Sequence, residues 1–200
     1  MIFRIMLLAL LLVPVSTYAV EYADREEVQA FVKELAARES FNERELLTVF
    51  RHAEYKQSII DAITRPAEKT LTWAKYQDIF LTERRTVSGI EFMEKNRVAL
   101  QAAYEAYGVS PVIITAIIGV ETMYGRISGN YRVLDALSTL SFDYPARSKF
   151  FMRELREFIL LAREEKKMIT EFKGSYAGAM GMGQFIPSSY RAYAVDFDGD

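Results

Sequence analysis

Cysteine is absent from all 200 residues. No disulfide framework, thiolate metal site or cysteine nucleophile can exist, and no N-terminal cysteine is present to carry a lipid. Histidine is almost absent too. The single copy, His52, follows Arg51 far from any other proton-transfer candidate, so Ser-His-Asp chemistry has no support. Basic excess is also missing: 25 Lys and Arg stand against 27 Asp and Glu, for a net charge of −2. That balance lacks the cationic footprint of sequence-independent binding to DNA or RNA, and no nucleic acid is expected as a partner. The apolar run from Ile5 to Val13 falls well short of the roughly 20 residues that a membrane-spanning helix needs.

What is present is core-forming material, since half of the residues are hydrophobic and 13% are aromatic. This composition supports one packed domain, or one domain with a small appendage. The first residues, Met1-Ile2-Phe3-Arg4, then the apolar run, Pro14 and Ser16-Thr17-Tyr18-Ala19, have the three-part pattern of a secretory signal. Residues 1–19 are read as that signal, with Thr17 and Ala19 preceding cleavage before Val20; an uncleaved anchor is the alternative. Export without disulfides requires an ordinary hydrophobic core, and the compartment expected is the periplasm.

Residues 25–38 read as an amphipathic helix through Val28, Phe31, Val32 and Leu35, with Asp24 and Glu27 at capping-box spacing. Asn42 is placed to cap a second helix from Glu43, Phe41 and Leu46 have the spacing of a hydrophobic staple, and Pro66 closes this N-terminal region. From Thr82 to Tyr107 the pattern predicts one long helix stopped by Gly108. Ser110-Pro111 then opens another. Its run from Val112 to Val120 has no charge, and the β-branched content would also suit a strand. Helical spacing returns over 146–166. The fold class expected is mainly α, with irregular segments at Arg126 to Tyr131 and Gly174 to Gly183. The division expected is 20–72 as an N-terminal helical region and 73–200 as the main domain. The ending at Asp200, inside an aspartate-rich loop, reads as that of a fragment.

Two segments carry chemistry. Glu121 closes the uncharged run and precedes Thr122-Met123-Tyr124-Gly125. A carboxylate beside so much apolar surface loses solvation and keeps its proton more readily, as a general acid must. The plainer reading is a buried glutamate paired with Arg126 or Arg132. The second segment runs from Gly174 to Pro187. Its glycines let backbone approach a flat ligand, while Ser175, Gln184, Tyr176 and Phe185 can hydrogen-bond to or stack on a sugar ring. No Lys-Ser/Thr follows the glycines, so a phosphate loop is rejected; a tight packing turn is the alternative.

Together, Gly119-Val120-Glu121-Thr122-Met123-Tyr124-Gly125, Leu140-Ser141-Phe142-Asp143-Tyr144-Pro145 and Ala177-Gly178-Ala179-Met180-Gly181-Met182-Gly183-Gln184-Phe185-Ile186-Pro187-Ser188-Ser189-Tyr190 resemble the MltB-type lytic transglycosylases. The resemblance is specific from Trp73 to Asp200 and looser before it. It implies a lysozyme-like helical catalytic domain with a small helical N-terminal extension. It also implies that Glu121 is the sole catalytic carboxylate, first protonating the glycosidic oxygen between N-acetylmuramic acid and N-acetylglucosamine. Glu121 then acts as base on the muramoyl 6-hydroxyl, closing a 1,6-anhydro ring. Tyr76, Arg147, Ser175, Gln184 and Phe185 match substrate contacts. Ala146-Arg147 stands where two arginines are expected, and Met182 where an aromatic is common. The partner implied is the peptidoglycan glycan strand, with a wall-synthesis or remodelling complex as a further candidate.

A hydrolase would place a second carboxylate about 5 to 9 Å from the first, and Asp135 and Asp143 are the nearest in sequence. Asp135 falls in a helical stretch, and Asp143 precedes the turn-forming Tyr144-Pro145. Asp196, Asp198 and Asp200 stand at positions 1, 3 and 5 of an EF-hand-type loop. A solvated turn is the plain reading of their spacing. The resemblance adds one structural Ca2+ in the intact protein, with no cofactor required for chemistry. A lysozyme-type hydrolase and a non-catalytic wall-binding module remain as alternatives.

Overall fold

The computed structural model describes residues 21–65 and 71–197. The expected signal segment 1–19, Pro66 and the aspartates Asp198 and Asp200 lie outside the described residues. Within them the chain is mainly helical: α1 (Glu26–Glu39), α2 (Glu43–Arg51), α3 (Gln57–Thr64), α4 (Trp73–Phe80), α5 (Glu83–Lys95), α6 (Arg97–Tyr107), α7 (Pro111–Thr122), α8 (Val133–Phe142), α9 (Ser148–Glu164) and α10 (Pro187–Tyr193). Two short strands, β1 (Tyr131–Arg132) and β2 (Lys173–Gly174), pair antiparallel with Tyr131 opposite Gly174 and Arg132 opposite Lys173.

The local starts and stops follow side-chain chemistry, with two departures from the sequence pattern. Asn42 caps α2 by accepting from the N–H groups of Arg44 and Glu45 at 2.9 and 3.4 Å. The Ser110 hydroxyl accepts from Val112 N–H at the start of α7, with Pro111 in the first helical position. Gly108 ends α6 in the left-handed region with φ 72°. The capping box at α1 does not form. Asp24 lies in a 3-10 turn (Tyr22–Asp24), Arg25 takes the boundary position, and Glu27 pairs with Arg25 Nε at 2.8 Å. The single helix expected from 82 to 107 is two, α5 and α6. At Asn96 the side chain donates to its own i−4 carbonyl, Phe92 O, at 2.8 Å, a local bond of the kind that competes with helix continuation.

The main core is built by α8 and α9 together with the N-terminal helices. Val133 to Ser141 of α8 is buried throughout, and Phe151, Leu155 and Phe158 of α9 are fully covered. Val28, Val32, Phe50 and Ile59, from α1, α2 and α3, belong to the same cluster. The first helices thus share a core with residues 133–180. Asp143, at the end of α8, binds them by accepting from Tyr22 Oη at 2.5 Å and Arg25 Nη1 at 2.9 Å. Burial, followed by this hydrogen bond, pushes the Tyr22 phenol well above its ordinary range.

Helix α7 packs in an unexpected sense. Its uncharged run is not a core run: Val112, Ile113, Ile117 and Val120 are 49 to 59% exposed, while Thr115, Gly119 and Thr122 form the buried face. Gly119 is needed there because Tyr124 folds back beneath the helix. Among the described residues no single helix is long and apolar enough to cross a membrane.

Candidate functional site

The site gathers where the C-terminal end of α7 meets the glycine-rich loop 174–186. After Thr122 the chain turns through three successive left-handed residues: Met123 (φ 51°), Tyr124 (φ 62°) and Gly125 (φ 81°). Such a conformation costs an L-residue roughly 1–2 kcal/mol, and Tyr124 shows what offsets it. Its hydroxyl donates to Arg85 O at 2.9 Å, and its ring lies 5.6 Å from that of Phe92. Arg85 in turn donates from Nη1 to Gly119 O. Gly119 is required by this seating, since a Cβ there would stand 2.6 Å from Tyr124 Oη and 2.7 Å from Cζ. Gly119→Ala is therefore expected to lower the unfolding free energy by about 1–2 kcal/mol, overpacking outweighing the gain in helix propensity. Chemical denaturation would measure this loss.

Glu121 sits in the last turn of α7 and is exposed. Apolar neighbours do not bury it, because the aliphatic side chains of α7 also point outward. Nor is it paired with Arg126 or Arg132. Arg126 lies 3.8 Å from Glu91, and Arg132 bonds Asp135 and Glu54.

The glycine-rich loop is tied by its own polar groups. Met180 and Phe185 exchange backbone hydrogen bonds at 2.8 and 3.0 Å, and Ser175 N–H donates to Ala179 O at 2.8 Å. The Ser175 hydroxyl accepts from the N–H groups of Ala177 and Ala179, which leaves its proton to donate elsewhere. Gln184, at φ 50°, donates from Nε2 to Ser128 O and Gly181 O, each at 3.1 Å. Two carbonyls fix that orientation, so the amide presents its oxygen, an acceptor, to any ligand. Gly129, at φ 92°, allows the 126–131 turn to lie on this loop; a Cβ there would be 2.1 Å from Gly174 O. Beside the loop a cavity of about 520 Å3 is lined by Tyr107, Phe185, Tyr190 and Tyr193 with Met180 to Gly183.

Of the sequence-predicted residues, Ser175, Gln184 and Phe185 therefore share one loop, joined to the turn after Glu121 through Gln184 and Ser128. Tyr76 is on α4, where it stacks on Trp73 at 6.0 Å and packs against Phe80 at 5.1 Å. The Phe80 ring meets the Arg85 guanidinium at 5.1 Å, which links α4 to α5 and, through the bond from Arg85 to Gly119 O, to α7. Arg147 ends a 3-10 turn (Pro145–Arg147) and its guanidinium lies 4.3 Å over Phe150 and 5.3 Å from Phe151, at the start of α9. Residues that sequence reasoning passed over include Arg85, Ser128 and Glu154. Only their fold neighbours reveal them.

Both candidate second carboxylates are engaged elsewhere. Asp135 accepts from Arg132 Nε and Nη2 and from Glu54 N–H at 2.8 to 2.9 Å, and Asp143 holds Tyr22 and Arg25. A third carboxylate, Glu154, is buried at 4% exposure and accepts from Ser188 N–H and Oγ at 3.0 and 2.8 Å, fastening the start of α10.

Among the described residues no group of three or more acidic or histidine side chains is placed to hold a metal ion. Asp196 alone of the expected calcium set falls among them. It lines a cavity of about 530 Å3 with Glu164, Glu165 and Arg191. Burial, then Glu165, then Asp196 raise the Tyr190 phenol. Arg191 bonds both Glu164 and Glu157, holding α10 to α9. The hydrogen bond from Arg191 keeps the Glu164 carboxyl below the usual carboxylate range. The charged form is favoured in the folded protein, so this contribution is complete above that range and lost as pH falls through the lowered value. Protection of the amides over 187–193, taken relative to their intrinsic exchange at each pH, is expected to fall as pH drops below the usual carboxylate range, and Arg191→Ala should remove that dependence.

The matched family model is the transglycosylase SLT domain, over residues 23–200, and the chain belongs to this family. It is 40% identical over 189 residues to the membrane-bound lytic murein transglycosylase B of Escherichia coli K12, covering 90% of this chain and 52% of the relative. Among solved structures it is similar to the soluble lytic transglycosylase SltB1 of Pseudomonas aeruginosa (53% identity, TM-score 0.84, 87% of this chain and 59% of that one). It is also similar to the Escherichia coli lytic transglycosylase Slt35 in complex with calcium (40%, TM-score 0.84, 90% and 57%). SltB3 of Pseudomonas aeruginosa, solved with NAG-anhNAM-pentapeptide, matches at 26% identity and TM-score 0.79 over 91% and 48%. The fold is thus the lysozyme-like helical one expected, and the chain spans about half the length of the curated relative that it matches.

Proposed function

We propose that this protein is a lytic transglycosylase that cleaves the β-1,4 bond between N-acetylmuramic acid and N-acetylglucosamine in peptidoglycan. Glu121 gives its proton to the glycosidic oxygen as the C1–O bond breaks. The muramoyl 6-hydroxyl then attacks C1 and returns its proton to Glu121, so a 1,6-anhydro end forms and no water is consumed. The observation carrying this reading is the exposed Glu121 in the last turn of α7, whose following turn is bonded to a glycine-rich loop bearing Ser175, Gln184 and Phe185. The commitment of Asp135 and Asp143 to structural bonds favours intramolecular attack over a two-carboxylate hydrolysis. The anhydromuramoyl ligand in the SltB3 structure supports the same product class.

In this reading residues 73–200 carry the catalytic part, 20–72 support it, and Tyr76 and Arg147 extend the glycan contact. Export to the periplasm by residues 1–19 and recruitment to a wall-remodelling complex belong to the same proposal. Asp196, Asp198 and Asp200 are hard oxygen donors that fit Ca2+ in kind, and the calcium complex of Slt35 supports a structural ion there. Mass spectrometry of digested peptidoglycan tests the reaction. Products one water lighter than hydrolytic ones are expected. Hydrated reducing ends would identify a hydrolase, and binding without products would identify a wall-binding module.

A further inference from the structure

We propose that Thr122 is a positioning residue, its hydroxyl setting the register between Glu121 and the glycine-rich loop. The inference rests on the role given to Glu121 above. Thr122 is next to that glutamate yet faces the interior, at 1% exposure. Its Oγ1 accepts from Gly125 N–H at 2.9 Å, and it lies 2.9 Å from Met182 O and 3.2 Å from Ile118 O.

A helical threonine ordinarily gives its single proton to the i−4 carbonyl. Here that carbonyl, Ile118 O, already accepts from Tyr124 N–H at 3.3 Å. The shorter contact is the one to Met182, and among the described residues Thr122 is the donor recorded for that carbonyl. The proton therefore joins the end of α7 to the middle of the loop. The same oxygen anchors Gly125, closing the left-handed turn just after Glu121.

Beyond the strand pairing at its incoming end, side chains hold the loop at three places. Glu154 fixes its outgoing end at Ser188, Gln184 fixes itself to Ser128, and Thr122 fixes Met182. Of these, only the Thr122 bond starts from the residue adjoining Glu121. It therefore sets how far the carboxylate stands from Ser175, Gln184 and Phe185. Met182 Sδ lies 3.0 Å from where a Gly125 Cβ would be, so loop and turn are in van der Waals contact and a lost bond transmits directly to both.

Thr122→Val keeps the volume and branching and removes only the hydroxyl; Thr122→Ser keeps the hydroxyl. In the intact protein Thr122→Val is expected to lower kcat on the order of 10- to 100-fold with KM within about twofold, the scale of a misplacement near 1 Å. Thr122→Ser is expected to retain most of kcat. Amide exchange gives a readout independent of turnover: Thr122→Val should speed exchange at Gly125 and over 181–185, and Thr122→Ser should not. Unchanged exchange in Thr122→Val overturns the proposal, as does a Ser variant as impaired as the Val variant. A wild-type protein that releases no product would refute the transglycosylase reading instead, and the exchange comparison would still decide the role of Thr122.

Discussion

Glu121→Gln is expected to abolish cutting while leaving fold and glycan binding intact. The side chain is exposed in the last turn of α7, and the structure records no hydrogen bond or ion pair to it among the described residues. Its replacement by an isosteric amide should therefore change stability by no more than about 0.5 kcal/mol. The amide neither gives nor takes a proton. Because the same carboxylate serves both half-reactions, the loss should approach the upper end of the about 10²- to 10⁴-fold that acid–base catalysis contributes. Release of soluble anhydro-muropeptides by purified protein measures the rate, and co-sedimentation with insoluble peptidoglycan measures the binding. A variant keeping a tenth of the wild-type rate would remove Glu121 from the chemistry.

Much of the local structure was legible because it depends on short-range chemistry. Asn42, the Ser110-Pro111 pair and Gly108 each start or stop a helix by bonds made within a few residues. The break at Asn96 was not legible, since an asparagine within a continuing polar-apolar pattern leaves the periodicity unchanged. The packing of α7 was not legible for another reason. A helix hydrophobic on every side is ordinarily buried, and the sequence does not show that Tyr124 folds back under Gly119 and Gly89, leaving the bulky face outward. That reversal also leaves Glu121 exposed.

The candidate site divides in the same way. The motif residues Ser175, Gln184 and Phe185 stand in one continuous loop, so their association follows from chain proximity alone. The approach of that loop to the turn after Glu121 depends on α9 and α10. Glu154 and the Arg191 pairs with Glu157 and Glu164 cross between those helices. No spacing rule connects such residues. The amide orientation of Gln184 likewise emerges only once Ser128 O and Gly181 O are in place.

Asp135→Ala is expected to be the most destabilising single change, about 3–5 kcal/mol, because it strands partners around a carboxylate that is 2% exposed. Arg132 would lose both of its bonds to the acid, and Glu54 N–H its acceptor. These bonds join the start of α8 to the segment after α2, so the loss falls on the shared core. For a chain of this size the corresponding fall in Tm is on the order of 10 °C or more. Asp135→Asn keeps an acceptor but weakens the pair with Arg132, so it should fall between wild type and the alanine variant in thermal unfolding. The asparagine variant also separates two roles. A second catalytic carboxylate would lose turnover at unchanged Tm, whereas a structural one loses Tm and retains most of kcat below the transition. The second pattern is expected, since the oxygens of Asp135 are already committed to Arg132 and Glu54.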